Sequence, residues 1–231
     1  MVRASDGAAR RTPSAPRAAR AAILRRAMKL LLASNNKKKH AELARMLGPL
    51  GFEVVLPREI GGVPEVVEDQ PTFAGNAAKK ACSAAQASGM WALADDSGLE
   101  VDALHGEPGV MSARYAGVHG DDAANNALLL HKLTGVRDTE RGAQFVCALA
   151  LSRPDGTLAL EVQGRARGAI LHAPRGDGDF GYDPLFLFSE PNFPQTGRGF
   201  AELGPDEKAQ VSHRGRALRE LVARLRELAP R

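Results

Sequence analysis

The chain has 231 residues, of which 44% are hydrophobic and 25% charged, and its formal net charge is +4. This composition excludes a chain that is disordered throughout, and the length fits one α/β domain or two tightly joined lobes. No apolar stretch approaches the ~20 residues that a membrane-spanning helix needs. Two cysteines, Cys82 and Cys147, are too few for a disulfide framework or a zinc site, so we expect a reducing, cytoplasmic compartment.

The positive charge is concentrated at the N-terminus. Residues 1–27 contain seven arginines and one acidic residue, leaving 24 of the 31 Lys and Arg and 26 of the 27 Asp and Glu for residues 28–231. A slightly acidic body argues against nucleic-acid binding, which needs clustered positive charge. Residues 1–27 are open to three interpretations: a disordered arm, an Arg-rich targeting peptide, or a start codon assigned too early. We favour a dispensable arm or an early start.

In the first half of the chain, hydrophobic spacing predicts strands that alternate with helices. The predicted strands are 29–33, 52–56 and 91–94, and the predicted helices are 38–50, 72–88 and 121–133. Between the second strand and the second helix, residues 61–71 are predicted to be a loop that carries several acidic residues.

In the second half, predicted strands at 145–152 and 157–162 flank Pro154-Asp155-Gly156, a sequence typical of a hairpin turn. A strand at 185–188 and an amphipathic helix at 214–228 follow. The alternating strands and helices in the first half of the chain and the hairpin in the second half predict an α/β fold with a mixed sheet flanked by helices.

A polar segment with the sequence SNNKKK lies between the first predicted strand and the first helix. Backbone N–H groups and the dipole at a helix start attract anions, and lysine adds a point charge. Three lysines at a helix start oppose the dipole, so they need an anionic partner or free solvation. The candidate phosphate-binding residues are therefore Ser34, Asn35, Asn36, Lys37, Lys38 and Lys39. The alternative is a solvated helix cap.

A second segment, Asp95-Asp96-Ser97-Gly98, directly follows a short predicted strand. Two carboxylates held close together repel each other unless a cation lies between them or one is protonated. The histidines show no His-x-x-x-His spacing, so a bound metal would be a hard, oxygen-liganded ion such as Mg²⁺. Glu68 offers a third carboxylate from the acidic loop. The alternative is an acidic turn in which Gly98 supplies the positive φ.

A glycine-rich segment at residues 176–184 matches the G-x-G-x-x-G pattern of dinucleotide-binding sites. That pattern requires a helix after the glycines, whereas here Pro184 and an apolar strand follow, so this interpretation fails. What remains is a loop that presents Phe180, Gly181, Tyr182 and Asp183. Its aromatic rings could stack on a nucleobase, at about 1–3 kcal/mol per base, or pack on the core.

The last polar cluster, Lys208 with Ser212-His213-Arg214, precedes the final helix. Arginine is a planar donor fork and histidine can donate or accept, which suits a keto group or a phosphate. The alternative is ordinary capping by Ser212 with solvated charges. Neither a P-loop nor a G-x-S-x-G nucleophile motif occurs.

Taken in order, these clusters resemble the inosine triphosphate pyrophosphatase (HAM1-like) family. The resemblance runs from Met28 to about Leu228, and the segments that carry it are LLASNNKKKHAEL, EDQPTFAGNAAKKA, ALADDSGLEVDALHGEPGVMSARYAG, FGYDPLF and AELGPDEKAQVSHRGRAL. It implies an elongated mixed sheet with two lobes and a central cleft, a homodimer, and one pyrophosphatase domain over residues 28–231.

The resemblance also implies roles for the polar residues. Residues 34–39 would hold the triphosphate, and Phe180 to Asp183 would hold the base and ribose. Glu68 would bind Mg²⁺ with Asp96 and Asp95, Asp96 would accept the proton, and Ser97 would touch the substrate. Asn76 and Lys80 would line the cleft, and the residues completing the pocket would be Lys208, His213 and Arg214.

The implied activity is hydrolysis of ITP, dITP or XTP to the monophosphate and pyrophosphate. Donors near His213 and Arg214 would favour a 6-keto purine over adenine. Three alternatives remain: a Maf-like pyrophosphatase for other nucleotides, a nucleic-acid-binding module that uses the basic tail, and a catalytically silent nucleotide sensor.

Overall fold

The computed structural model describes residues 28–178 and 180–228, so the expectations for residues 1–27 lie outside it. The strands are β1 (Met28–Leu32), β2 (Phe52–Val55), β3 (Ala92–Val101), β4 (Gly142–Ser152), β5 (Leu158–Ile170) and β6 (Phe186–Phe188). The helices are α1 (Lys37–Leu47), α2 (Phe73–Ser88), α3 (Asp122–Lys132), α4 (Pro205–Val211) and α5 (His213–Leu228). None of these helices is long and apolar enough to span a bilayer.

The six strands form one mixed sheet in the order β2-β1-β3-β4-β5-β6. β1 pairs in parallel with β2 and β3, while β3, β4, β5 and β6 pair antiparallel in succession. The expected mixed α/β sheet covered by helices is thereby confirmed.

Local capping signals fix the helix ends that the sequence predicts well. Thr72 caps α2 by accepting a hydrogen bond from the amide of Gly75 (3.1 Å), and Gly89 ends the helix with φ of 66°. Asp121 caps α3 in the same way, accepting from the amide of Ala124 (2.9 Å). These interactions act within one helical turn, so they can be predicted from the sequence.

Three strands are longer than expected, among them β4, which begins at Gly142 and not at residue 145, and α4 was not predicted. β5 extends to Ile170 because its inward positions include Gly164, Ala166 and Gly168, whose small side chains give little hydrophobic signal. β3 continues to Val101, seven residues beyond the predicted end at Ala94. α4 is a single polar segment of seven residues, too short to show a periodic apolar stripe.

The helices cover both faces of the sheet around β3. On one face, Leu43 of α1 and Leu218 of α5 pack in a core cluster with Leu93 and Leu149 of the sheet. On the other face, α2 packs its small residues against β3 and β4, in a cluster that includes Ala77, Ala81, Ala94, Ala148 and Ala150. The middle of β3 therefore lies between α2 on one side and α1 with α5 on the other.

Close approach of α5 to the sheet depends on Gly164 of β5. A Cβ at this position would overlap the carbonyl oxygen of His213 and the amide nitrogen of Ala217, both backbone atoms of α5. We expect Gly164→Ala to lower the free energy of unfolding by about 1–3 kcal/mol, because the helix must shift to admit the methyl group. Urea unfolding measures this. Gly48→Ala is the matched control, since a Cβ there meets nothing within 4 Å, and equal stability of the two variants would contradict the prediction.

Candidate functional site

The acidic segment lies inside β3 and not in a turn after it. β3 runs unbroken through Asp95, Asp96 and Ser97, which pair with Leu149, Ala148 and Cys147 of β4. Successive side chains of a strand point to opposite faces, so the two carboxylates diverge. Asp95 and Asp96 therefore do not form the close pair of carboxylates that the sequence suggested, and the alternative of an acidic turn is also wrong. Cations on each face let the strand bury both groups.

The carboxylate of Asp95 lies on the face covered by α1 and α5, and the residue is 1% exposed. It receives hydrogen bonds from Arg214 Nε (2.7 Å), Ser97 Oγ (2.9 Å) and Cys147 Sγ (3.2 Å), and it pairs with Lys39 Nζ (2.5 Å). Burial would raise the pKa of Asp95, but Arg214 and Lys39 outweigh burial and hold it well below the usual value. Since cations occupy this carboxylate, the structure does not group it with Glu68 and Asp96 as a metal ligand.

Arg214 is itself buried, at 2% exposure, and its guanidinium bridges two carboxylates. Its Nη1 donates to Glu42 (2.7 Å), and its Nη2 lies 3.4 Å from both Asp95 and Ser97. A buried guanidinium must be paired, so Arg214 does not present the open donor fork that the sequence suggested. It forms part of the floor of the site.

On the opposite face, Lys80 of α2 connects Asp96 with Glu68. Lys80 Nζ donates to Asp96 Oδ1 (3.0 Å) and to Glu68 Oε1 (3.1 Å). Arg114 Nη2 donates to the backbone carbonyl of Glu68 (3.2 Å) and so fixes the acidic loop. The structure thus brings Glu68 and Asp96 together, as the sequence predicted, with a lysine between them.

Asp96 is the carboxylate of this group whose pKa is raised. Burial raises its pKa and the negative charge of Glu68 adds to the rise, although Lys80 opposes it. In Glu68, burial also raises the pKa, but the charge and hydrogen bond of Lys80, together with the charge of Lys39, outweigh it and lower the pKa. Asp96 Oδ2 is buried without a hydrogen-bond partner among the described residues. Such an atom suits a ligand, because an unsatisfied buried oxygen is costly.

The donor set fits a magnesium ion that binds together with substrate. Within residues 28–178 and 180–228, no three His, Cys, Asp or Glu side chains form a metal-binding group. Mg²⁺ commonly uses one or two carboxylates and completes its shell with water and phosphate oxygens. Glu68 and Asp96, which Lys80 holds side by side, would supply the carboxylates.

The start of α1 separates its three lysines. Asn36 caps the helix by accepting from the amides of Lys38 (2.9 Å) and Lys39 (3.1 Å), and Ser34 Oγ accepts from the amide of Asn36 (3.2 Å). Lys37 and Lys38 are exposed, whereas Lys39 points inward to Asp95. Asn35 is an exposed residue of the turn before the cap.

The backbone carbonyl of Asp95 joins the two faces of the site. Lys39 Nζ lies 3.4 Å from this oxygen and Lys80 Nζ lies 3.1 Å from it, although the two lysines come from α1 and α2. The two ammonium groups meet beside Asp96 and pair with the carboxylates of Asp95, Asp96 and Glu68. Ammonium groups of this kind also suit phosphate oxygens.

The glycine-rich loop places Phe180 among three other cations. The ring centroid of Phe180 lies 5.5 Å from Lys208 Nζ, 5.6 Å from Arg214 Cζ and 5.8 Å from Lys38 Nζ. A cavity of 420 Å³ opens next to the ring, and Glu42 is among the residues that line it.

The residues after Phe180 anchor the loop. Tyr182 is 4% exposed and its hydroxyl donates to the carbonyl of Ser112 (2.9 Å), so it packs on the core and does not face the cleft. Asp183 is 3% exposed and pairs with Lys208. Burial raises the pKa of Asp183 despite that ammonium group. Of the two aromatic rings expected to bind the base, Phe180 lines the cavity and Tyr182 does not.

His213 begins α5 as a buried, neutral imidazole. It is 4% exposed and stacks on Phe145, with ring centroids 4.7 Å apart. Burial lowers the pKa of His213 well below its usual value, and Arg214 and Lys208 add to this effect. Its Nδ1 is buried without a partner among the described residues.

Comparison with known proteins identifies the family of this chain. Residues 30–224 match the Ham1 family. The chain belongs to the Ham1 family. It is 51% identical over 201 residues to a dITP/XTP pyrophosphatase of Desulforamulus reducens, an alignment that covers 87% of this chain and 97% of that protein.

Solved Ham1-like structures share the fold. The Staphylococcus aureus Ham1 protein is 38% identical, with a TM-score of 0.75, and the match covers 87% of this chain and 100% of that one. A nucleoside-triphosphatase / dITP/XTP pyrophosphatase from Mycobacterium abscessus is 48% identical, with a TM-score of 0.67, over 84% of this chain and 98% of that one.

Sequence reasoning missed two site residues of this Ham1 chain, and it misplaced Asn76 as well as Tyr182. Glu42 pairs with Arg214, and Arg114 holds the loop of Glu68. Glu42 lies three residues after Lys39 on α1, a spacing that places both on one side of the helix and could have revealed it. Asn76 is 1% exposed and accepts from the amide of Gln70 (2.9 Å), so it anchors the acidic loop and does not line the cleft.

Proposed function

We propose that the chain hydrolyses non-standard purine nucleoside triphosphates (ITP, dITP and XTP) to the monophosphate and pyrophosphate. The observation that carries the proposal is one continuous line of contacts from a base-sized ring to a free carboxylate oxygen. It runs from Phe180 through Arg214, Asp95 and the two lysines to Asp96. The names of the relatives, dITP/XTP pyrophosphatases, support the same activity.

The ammonium groups of Lys39 and Lys80 would bind the phosphates. Lys39 and Lys80 converge at one point of β3 and Lys38 lies toward Phe180, so cations extend from the carboxylate end of the site to the ring. This arrangement suits a chain of phosphates attached to a base at one end. Phe180 would stack on that base, which contributes about 1–3 kcal/mol.

A magnesium ion would be held by Glu68 and Asp96 and would neutralise phosphate charge as the bond to phosphorus breaks. The chain itself supplies the proton acceptor. Lys80 holds Asp96 by Oδ1, which leaves Oδ2 to take the proton of the attacking water.

For selectivity, we propose that His213 and Arg214 favour a 6-keto purine. Arg214 presents no open fork, but Asp95, Glu42 and Ser97 engage four of the five N–H groups of its guanidinium, which leaves one N–H on Nη1. The neutral imidazole of His213 retains one donor and one acceptor. An adenine amino group would leave these donors unpaired.

From the family resemblance we further propose that the protein is a cytoplasmic homodimer. Light scattering would measure the mass of the assembly.

The test of the function is pyrophosphate release from ITP, XTP, ATP and dUTP. We expect ITP or XTP to exceed ATP in kcat/KM by at least about a hundredfold, and EDTA to abolish release. Preference for dUTP would favour a Maf-like enzyme. Binding of nucleic acid through residues 1–27 without hydrolysis would favour a nucleic-acid-binding module, and nucleotide binding without turnover would favour a sensor.

A further inference from the structure

The first turns of α3 hold the backbone of the loop that carries Phe180. Asp122 Oδ2 accepts a hydrogen bond from the amide of Gly181 (2.9 Å), and Asn126 Nδ2 donates to the carbonyl oxygen of Gly181 (2.9 Å). The two side chains are four residues apart on one side of the helix. Together they form hydrogen bonds with the peptide groups on both sides of Gly181.

This contact acts directly on Phe180, because the Gly181 amide belongs to the peptide group that joins the two residues. Gly181 has φ of 57°, a left-handed conformation that favours glycine. Before Phe180, the amide of Gly178 donates to the carbonyl of Ala201 (3.1 Å). The ring is therefore presented from a short span whose two ends are tied to different elements.

The contact has no other evident use in the fold. Asp121, not Asp122, caps α3. The inward side of α3 packs through Leu129 in the core cluster that also includes Tyr182. Asp122 Oδ2 and Asn126 Nδ2 bond to the loop instead.

We infer that Asp122 and Asn126 are positioning residues, which hold Phe180 against the cations of Lys38, Lys208 and Arg214 and thereby set how tightly the base is bound. This inference rests on the proposed function, since it assigns the ring to the base of a nucleotide. It acts through the loop backbone, so neither side chain touches the substrate.

The test compares Asp122→Ala and Asn126→Ala with the full-length wild type. We expect each variant to raise KM for ITP about tenfold, the cost of a lost charge-assisted or neutral hydrogen bond, with little change in kcat. Inhibition by inorganic tripolyphosphate, which occupies only the phosphate end, should stay unchanged. Hydrogen exchange of a peptide spanning residues 176–184 should become faster in both variants.

Two further variants separate positioning from helix stability and from charge. Asp121→Ala removes the cap of α3 without touching Gly181, so it should leave KM unchanged. Asp122→Asn keeps an oxygen acceptor and should restore most of the affinity. The inference is wrong if Asp121→Ala raises KM as much as Asp122→Ala, if Asp122→Asn fails to rescue, or if neither alanine variant changes KM and exchange.

The exchange measurement also separates this inference from the proposed function. If the wild type hydrolyses no ITP, the function is wrong, while faster exchange in the alanine variants would still establish the contact between α3 and the loop. If Asp122→Ala does not fold, Asn126→Ala gives the same test from the other side of Gly181.

Discussion

Replacement of Asp96 by asparagine is expected to lower kcat for ITP by about 10²–10⁴-fold, the usual contribution of a positioned proton acceptor. Asparagine keeps the size of the side chain and the bond that Lys80 donates to Oδ1 (3.0 Å). It removes the basic oxygen, Oδ2, which is buried without a partner among the described residues. Single-turnover pyrophosphate release at saturating ITP measures the loss without interference from product dissociation.

The same variant should not lose stability. The pKa of Asp96 is raised in the folded state, so the ionised carboxylate is disfavoured there at neutral pH. A neutral side chain removes that cost, and the melting temperature should match or exceed that of the wild type. Glu100→Gln is the matched control, because Glu100 lies on the same face of β3 and bonds to Gln144 (2.7 Å) away from the lysines. Near-wild-type turnover of Asp96→Asn would rule out Asp96 as the proton acceptor.

Local signals explain why much of the fold could be predicted from the sequence. Thr72, Gly89 and Asp121 act within one turn of their helices, so α2 and α3 begin and end within about a residue of the expected places. The length of β3 could not be predicted in this way. Its central Asp95 can be buried because Lys39 and Arg214 pair with it, and Arg214 lies 119 residues further along the chain. Without these partners, the acidic segment reads as a turn.

The site, like the fold, has features that the sequence predicts and features that it does not. Glu68, Lys80 and Asp96 were expected in one cleft because each lies in a motif of the resembled family, and the structure brings them together. The burial of Arg214 could not be foreseen, since it depends on Glu42 approaching from α1. Single polar motifs therefore predicted which residues belong to the site, while the direction of each side chain followed from contacts between distant elements.

Removal of the buried partner of Arg214 is expected to have the largest effect on stability. Asp95→Asn should lower the free energy of unfolding by about 3–5 kcal/mol, because it leaves a guanidinium and an ammonium group buried with too little negative charge. Arg214 is 2% exposed and keeps only Glu42, while Lys39 loses its carboxylate partner. Urea unfolding at pH 7 measures the difference. Asp102→Asn is the control, since Asp102 pairs with Arg167 on the surface, where such a pair contributes about 0–1 kcal/mol.

The pH dependence of this difference follows from the sign of the pKa shift. Because the pKa of Asp95 is depressed in the folded state, its stabilisation is fully present above its unfolded pKa, at about pH 4, and is lost as the pH falls further toward the folded value. Asp95→Asn lacks this titrating group, so its deficit relative to the wild type should shrink on acidification below about pH 4. A deficit that stays constant from pH 7 to pH 3 would show that the lost stability comes from packing and not from the charge of Asp95.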